Sequence, residues 1–273
     1  MRELRTFTEP IDALAFVPTM GALHEGHLAL IKKAREYSAH VLVSIYVNPT
    51  QFESADDLAN YPKTLERDSE LAEKAGAEFL WTPSVSEIYP EGLENTNLIP
   101  AGPLGDLYEG VARPNHFSGV LTVINRLFSI TNPQFALFGE KDFQQLFLIK
   151  QFAREKFPNI KVISGETIRN HDGIALSSRN ARLSEREIEI AKVLPRAKKR
   201  CLEITSLGEL KRALHEELSA QPDFTLDYAE VVDPTTLLPV TGSFCGPVQI
   251  LLAGWIGSVR LIDNFAGEVK EQS

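Results

Sequence analysis

LAFVPTMGALHEGHLALIKKAREYSAHVLVSIYV, residues 14–47, reads as strand, loop, helix and strand. Residues 14–17 (LAFV) and 41–47 (VLVSIYV) are short apolar runs rich in strand-forming side chains. Between them, over residues 26–38, Leu28, Ile31 and Arg35 recur at helical spacing, with Leu30, Ala34 and Tyr37 on the adjacent stripe. The alternation continues downstream. Pro62 opens a charged helical segment to about Ala75, EFLW at 78–81 is a strand, and residues 90–114 are rich in Gly and Pro. A helix over 117–130 then leads into FALF at 135–138, and another helix and strand follow. Near-continuous apolar strands alternating with helices predict a parallel sheet covered on both faces, hence a doubly wound, Rossmann-like α/β domain.

After Ser184, an N-cap candidate with Glu187 three positions on, the pattern changes. Two polar helices are expected over 184–203 and 207–219, then three strands at 226–233, 248–257 and 259–265 with no helix between them. That is the pattern of a smaller α+β domain with an antiparallel sheet. The expected division is residues 1–172 and 173–273, the second part acting as a lid.

Composition narrows the function. Lys and Arg number 28 against 37 Asp and Glu, a formal charge of -9, so the chain repels polyphosphate except where cations gather locally, and nucleic acid is not an expected partner. Cys201 and Cys245 are too few and too far apart for a disulfide framework or a Cys-x-x-Cys metal site, and both read as interior thiols of a reducing compartment. The opening MRELRTFTEP lacks the apolar core of a leader, and no stretch reaches the roughly 18 apolar residues of a membrane span. A cytoplasmic protein with no membrane partner is expected.

Four clusters carry candidate chemistry. VPTMGALHEGH, residues 17–27, follows the first strand and opens the first helix, where free N–H groups and a partial positive charge favour a phosphate. Gly21 and Gly26 have the glycine spacing of a P-loop, but His27 and Leu28 stand where that motif needs Lys and Ser or Thr, and no G-x-G-x-x-G occurs in this turn. His24 and His27 are three apart and face one phosphate if the helix has begun by His24. Zinc ligation is disfavoured because H-E-G-H is not H-E-x-x-H and no third ligand is near. Histidines that hydrogen-bond only their own loop remain an alternative.

FGEKDFQQ, residues 138–145, lies at another strand end. There Lys141 suits phosphate oxygens, Asp142 ribose hydroxyls and Gln145 an alcohol or carboxylate, unless Asp142 is merely an N-cap and Lys141 a surface lysine. GIALSSRN, residues 173–180, offers two hydroxyls and a guanidinium able to close over an anion. Asn48-Pro-Thr-Gln51 ends the second strand, at what should be the same sheet edge.

With PTMGALHEGH, YVNPTQF, RPNHFSGVLTV, FGEKDFQQL, ALSSRN, YAEVVDP and RLIDN in one order, the chain closely resembles the pantothenate synthetase family over essentially its whole length. That family belongs to the nucleotidylyltransferase superfamily, which shares H-x-G-H with class I aminoacyl-tRNA synthetases. The resemblance implies ATP-dependent condensation of pantoate with β-alanine through a bound pantoyl adenylate, releasing AMP and pyrophosphate, with Mg²⁺ on the phosphates and a homodimeric assembly. It implies catalytic roles for His24, His27 and Lys141, with Ser177, Ser178 and Arg179 as further phosphate donors. Met20, Gly21, Gly139, Asp142, Ile168 and Leu176 would complete the ATP site. Gln51, Gln145, Asn48 and Met20 would hold pantoate and β-alanine, and metal ligands stay unassigned. Glu109 and Arg113 also match family positions, in a stretch at 108–114 that reads as a flexible flap. Arg126, where lysine is common, and His171 depart from the usual pattern while keeping polarity. The rivals are another adenylyl- or cytidylyltransferase and a catalytically silent nucleotide-binding protein. Gln51 and Gln145 favour a small hydroxy acid over the first, and the full set of cations disfavours the second.

Overall fold

The computed structural model describes residues 1–8, 10–52 and 55–270. They divide into two compact units, residues 1–140 with 144–166 and residues 141–143 with those from 167 onward. Residues 141–143 of the FGEKDF turn group with the second unit.

Up to residue 166 the chain runs β1 (Arg2–Leu4), β2 (Ala15–Thr19), α1 (Glu25–Tyr37), β3 (Val41–Ile45), α2 (Ala55–Ala59), α3 (Leu65–Ala75) and β4 (Phe79–Trp81). It continues through α4 (Val85–Ile88), α5 (Glu109–Ala112), α6 (His116–Thr131), β5 (Phe135–Gly139), α7 (Phe143–Lys156) and β6 (Lys161–Gly165). The strands form one parallel sheet in the order β1-β4-β3-β2-β5-β6. Both faces are covered, which is why β2 and β3 read as unbroken apolar runs. Ala15 and Val17 pack with Leu28, Ile31 and Ala34 of α1 and Ala72 of α3, while Leu14 and Phe16 pack with the cluster of Leu127, Phe128 and Ile149. From β2 the chain steps outward through β3 to β4, then returns to β5 on the other side of β2. The reversal between β2 and β5 makes their carboxyl ends the expected ligand crevice of such a sheet.

Three local features stand beside these expectations. β1 is not legible in the sequence, because Arg2-Glu3-Leu4 is a polar edge strand with one neighbour, β4, and no buried face to pattern. The helix expected from Pro62 begins at Leu65 after Thr64. The stretch at 108–114 carries a helical turn in which Glu109 and Gly110 are buried.

In the second unit α8 (Glu185–Ala191), α9 (Val193–Cys201) and α10 (Leu207–Ser219) accompany the antiparallel sheet β7 (Thr225–Val232), β8 (Gly246–Ile256) and β9 (Val259–Val269), ordered β7-β8-β9. Ser184 and Glu187 form the expected capping box. The helix expected over 184–203 breaks at Lys192, because Pro195 has no N–H for Ala191 and its ring crowds that carbonyl. Leu194, Leu210, Leu214 and Leu218 pack with Val231, Ile250 and Leu252 of the sheet. Cys201 is buried, and burial pushes its thiol up to about 11, whereas Cys245 is exposed, contrary to the expectation of two interior thiols. Among the described residues no helix is long and apolar enough to cross a membrane.

Candidate active site

Between β2 and α1 the chain must turn within five residues, and it does so through left-handed backbone at Gly21 (φ 84°) and Ala22 (φ 50°). A side chain at Gly21 would meet Asp68 Oδ2 and Ile45 Cγ2 at 3.1 Å. Asp68, wholly buried on α3, accepts the Ala22 and Leu23 N–H groups at 2.8 Å each on its two oxygens and the Thr64 hydroxyl at 3.0 Å. Three hydrogen bonds thus satisfy a carboxylate that burial would otherwise heavily penalise.

His24 is the N-cap of α1. Its Nδ1 accepts the Gly26 N–H at 3.1 Å, and Nδ1 of His27 accepts the His24 N–H at 3.3 Å. This is a reciprocal capping box built from imidazoles. The ring centroids lie 4.1 Å apart. A Cβ at position 26 would sit 2.9 Å from Cε1 of His24, so glycine is what lets the first ring fold back over the turn. With each Nδ1 lone pair committed to a backbone N–H, the neutral rings carry their hydrogen on Nε2, as donors. Bonding to the loop and donating to a phosphate therefore use different nitrogens, and the two readings of H-E-G-H are compatible.

A 3₁₀ turn, Pro49–Gln51, follows β3. Gln51 Nε2 donates to the Met20 sulfur at 2.9 Å, and its Oε1 accepts from Asn48 at 3.1 Å. The other donor of the Asn48 amide goes to the Gly119 carbonyl at 3.2 Å, and its oxygen accepts from Tyr89 at 2.6 Å and Thr50 at 3.1 Å. Protein groups fill this amide, so Asn48 braces Gln51. Burial, with Tyr89 alongside, pushes the Tyr46 phenol far above its ordinary value, and burial raises Tyr89 as well, so both stay neutral. The Gln51 carbonyl is held at 2.9 Å by His116 Nδ1 and at 3.3 Å by Arg113. Arg113 also lies 3.1 Å from His116 Nε2, and because a guanidinium can only donate, that nitrogen accepts and Nδ1 carries the hydrogen.

The expected flap is pinned by a residue the sequence does not single out. Buried Gln144 accepts the Glu109 N–H at 3.1 Å and donates to the Leu104 and Leu107 carbonyls at 2.8 Å each. Gln145, its half-buried neighbour, makes no side-chain hydrogen bond among the described residues. Arg126 donates to the Ile88 carbonyl at 2.8 Å, which gives it a structural job.

In the second unit Lys141 and Asp142 lie in a 3₁₀ turn, their charged atoms 3.7 Å apart, with the lysine side chain 18% exposed. Ser177 caps the short 3₁₀ helix Ser178–Arg182, its hydroxyl oxygen accepting the Arg179 N–H at 3.1 Å. The Ile168 carbonyl accepts the Leu176 N–H at 2.9 Å, while the Ile168 N–H and Leu176 carbonyl join no backbone hydrogen bond among the described residues. His171 is exposed, 3.2 Å from Asp172.

The candidate residues thus fall into two sets. Met20, Gly21, His24, His27, Asn48, Gln51, Gly139 and Gln145 belong to the first unit, and Lys141, Asp142, Ile168, Leu176, Ser177, Ser178 and Arg179 to the second. Asp68 escapes the motif reading, yet a signal exists, since it shares the buried stripe of α3 with Ala72 and Ala75, where a carboxylate needs a reason.

The family model for pantoate-beta-alanine ligase matches residues 1–266. The chain is similar to a pantothenate synthetase of Thermus thermophilus, at 44% identity over 97% of this chain and 98% of that one. It is likewise similar to the pantoate–beta-alanine ligase of Schizosaccharomyces pombe, at 43% identity over 93% and 90%. A crystal structure of the Thermus thermophilus synthetase matches with a TM-score of 0.91 at 43% identity, over 97% of this chain and 99% of that one. The pantoate-beta-alanine ligase of Francisella tularensis, complexed with beta-gamma ATP and beta-alanine, matches with a TM-score of 0.79 at 37% identity over 97% of each.

Proposed function

Because the chain belongs to the pantoate-beta-alanine ligase family and is a ligase that forms an amide bond, we propose that it condenses pantoate with β-alanine through a pantoyl adenylate. A pantoate carboxylate oxygen attacks the α-phosphorus of ATP in line and pyrophosphate leaves. Such a step asks for positioning and charge stabilisation more than for a strong base. The Nε2–H groups of His24 and His27 at the start of α1, with Lys141, Ser177, Ser178 and Arg179, donate to the phosphates as negative charge redistributes. The β-alanine amine then attacks the acyl carbon, a C–N bond forms, the C–O bond to AMP breaks, and the ammonium proton is lost. Water must be kept from the mixed anhydride meanwhile.

Pantoate falls to Gln51 and Gln145, with Met20 lending an apolar wall to the gem-dimethyl carbon. The Gln51 amide rests on a thioether, a weak acceptor, so a substrate oxygen replaces that contact at little cost. The Ile168 N–H and Leu176 carbonyl offer the donor and acceptor that adenine N1 and its exocyclic amine require, and Asp142 with the Gly139 backbone suits the ribose. ATP enters as its magnesium complex. Among the described residues no group of three or more His, Cys, Asp or Glu could hold a metal ion. ATP and β-alanine as substrates draw support from the Francisella relative, which is complexed with beta-gamma ATP and beta-alanine. A cytoplasmic homodimer completes the reading, and sedimentation tests the assembly.

One observation carries the proposal: both Nδ1 atoms of H-E-G-H accept N–H groups of their own loop, which sets the hydrogen of each neutral ring on Nε2 at the start of α1. The test supplies ATP, pantoate and β-alanine singly and together. AMP formation that requires pantoate, followed by pantothenate on adding β-alanine, is expected. Turnover of ATP without pantoate would favour another nucleotidyltransferase, and ATP binding with no AMP under any condition would favour the silent protein.

A further inference from the structure

We propose that Asn264 is a positioning residue for Lys141, fixing where the ammonium-bearing side chain leaves the backbone. The buried Asn264 of β9 donates from Nδ2 to the Lys141 carbonyl at 2.7 Å. Gln249, on β8 and diagonal to it across the β8–β9 ladder, donates from Nε2 to Asn264 Oδ1 at 2.7 Å. The Lys141 carbonyl, which can only accept, decides the amide's orientation: its NH₂ faces Lys141, so its oxygen faces Gln249. Diagonal pairs on one face of a sheet lie within reach of long side chains, and a glutamine uses that reach here.

The backbone of Asn264 is pinned as well. Its N–H goes to Asp263 Oδ1 at 2.7 Å, and its carbonyl accepts from Arg169 at 3.1 Å. Arg169 grips both oxygens of Asp263 at 2.7 Å and the Gly173 carbonyl at 3.0 Å, and the Asp263 side chain is 1% exposed. A two-point guanidinium–carboxylate contact of this kind resists rotation, so it can act as a fixed post. Lys141 itself lies in a single 3₁₀ turn, whose carbonyls the turn does not all use. The amide from β9 supplies an outside donor, consistent with residues 141–143 grouping with the second unit rather than with β5. The sequence match at RLIDN, residues 260–264, thereby gains a physical meaning: its last two residues brace the lysine turn.

The inference rests on Lys141 donating to phosphate in the proposed reaction, and a shift of about 1 Å in such a donor can cost on the order of a hundredfold in rate. The test compares Asn264→Ala, Lys141→Ala and the double variant with the unmodified chain, following single-turnover formation of pantoyl adenylate, the KM for ATP and the thermal midpoint. Asn264→Ala should slow adenylation by roughly tenfold or more with the KM for ATP nearly unchanged, and should add nothing in the Lys141→Ala background, as expected of residues acting through one contact. Gln249→Leu, which frees the Asn264 amide without touching Lys141, should give a smaller effect of the same kind and serves if Asn264→Ala does not fold. If Lys141→Ala leaves adenylation unchanged, the lysine's own role fails. If Lys141→Ala is slow but Asn264→Ala and Gln249→Leu run at the normal rate, or if Asn264→Ala slows both backgrounds equally, the positioning role is overturned.

Discussion

The turn after β2 is held by an acceptor and the turn after β5 by a donor. Asp68 takes two backbone N–H groups of the histidine loop, whereas Asn264 gives one N–H to the carbonyl of Lys141. The difference follows from what each turn leaves unpaired. Both turns lead into long helices, α1 and α7, but the first leaves the N–H groups of Ala22 and Leu23 to an outside acceptor, whereas the 3₁₀ turn leaves the Lys141 carbonyl to an outside donor. The consequences are unequal. An N–H has a single hydrogen to place, while a carbonyl has two lone pairs and tolerates partial satisfaction. Asp68 also has no cationic partner among the described residues, so its buried oxygens are satisfied by the three hydrogen bonds it accepts.

The largest effect should fall on the donors these turns present. Lys141→Ala or His27→Ala should lower adenylation by about a hundredfold or more, the scale of removing one preorganised donor. The two should part in stability. Lys141→Ala leaves the thermal transition in place, whereas His27→Ala also removes a helix cap and should cost about 1 kcal/mol. Calorimetry beside single-turnover AMP formation checks both, and a rate loss matched by unfolding would remove the catalytic role.

Next comes the brace of the first turn. Asp68→Asn keeps the shape but presents an NH₂ where N–H groups now donate, and should destabilise the chain by about 1–3 kcal/mol, more than Asn264→Ala does. Equal losses in urea unfolding would erase the contrast between acceptor and donor. A finer probe is Gly26→Ala, where the new methyl would meet Cε1 of His24 at 2.9 Å. It should slow adenylation by displacing that ring, with helix content by circular dichroism unchanged, and full activity would show that the folded-back ring is dispensable.

The smallest effect contrasts the two thiols. Burial has raised Cys201, so alkylation of the native protein near pH 8 should modify Cys245 first, without loss of activity, and reach Cys201 only on unfolding. Mass spectrometry of the labelled peptides decides it.

The same contrast separates what sequence can tell from what it cannot. The β2–α1–β3 run, H-E-G-H and the Ser184 cap are legible because each depends on residues within a turn or two of one another. The braces are not. Asp68 lies 46 residues from Ala22, and Asn264 lies 123 from Lys141, so only the fold makes them neighbours. β1 hides because an edge strand needs no apolar face, and the break at Lys192 hides because α8 and α9 continue one amphipathic pattern through Pro195. The position of Asn48 at a strand end suits contact with substrate, yet its amide is taken up by Gln51, Gly119, Tyr89 and Thr50.

Oxygen transfer reports on the acyl adenylate directly. Pantoate labelled with heavy oxygen in its carboxylate, supplied with ATP and β-alanine, should pass one labelled oxygen to the phosphate of AMP, because the attacking oxygen stays with that phosphorus when the amide forms. AMP released without label, while pantothenate accumulates, would mean that the carboxylate never attacked the α-phosphorus.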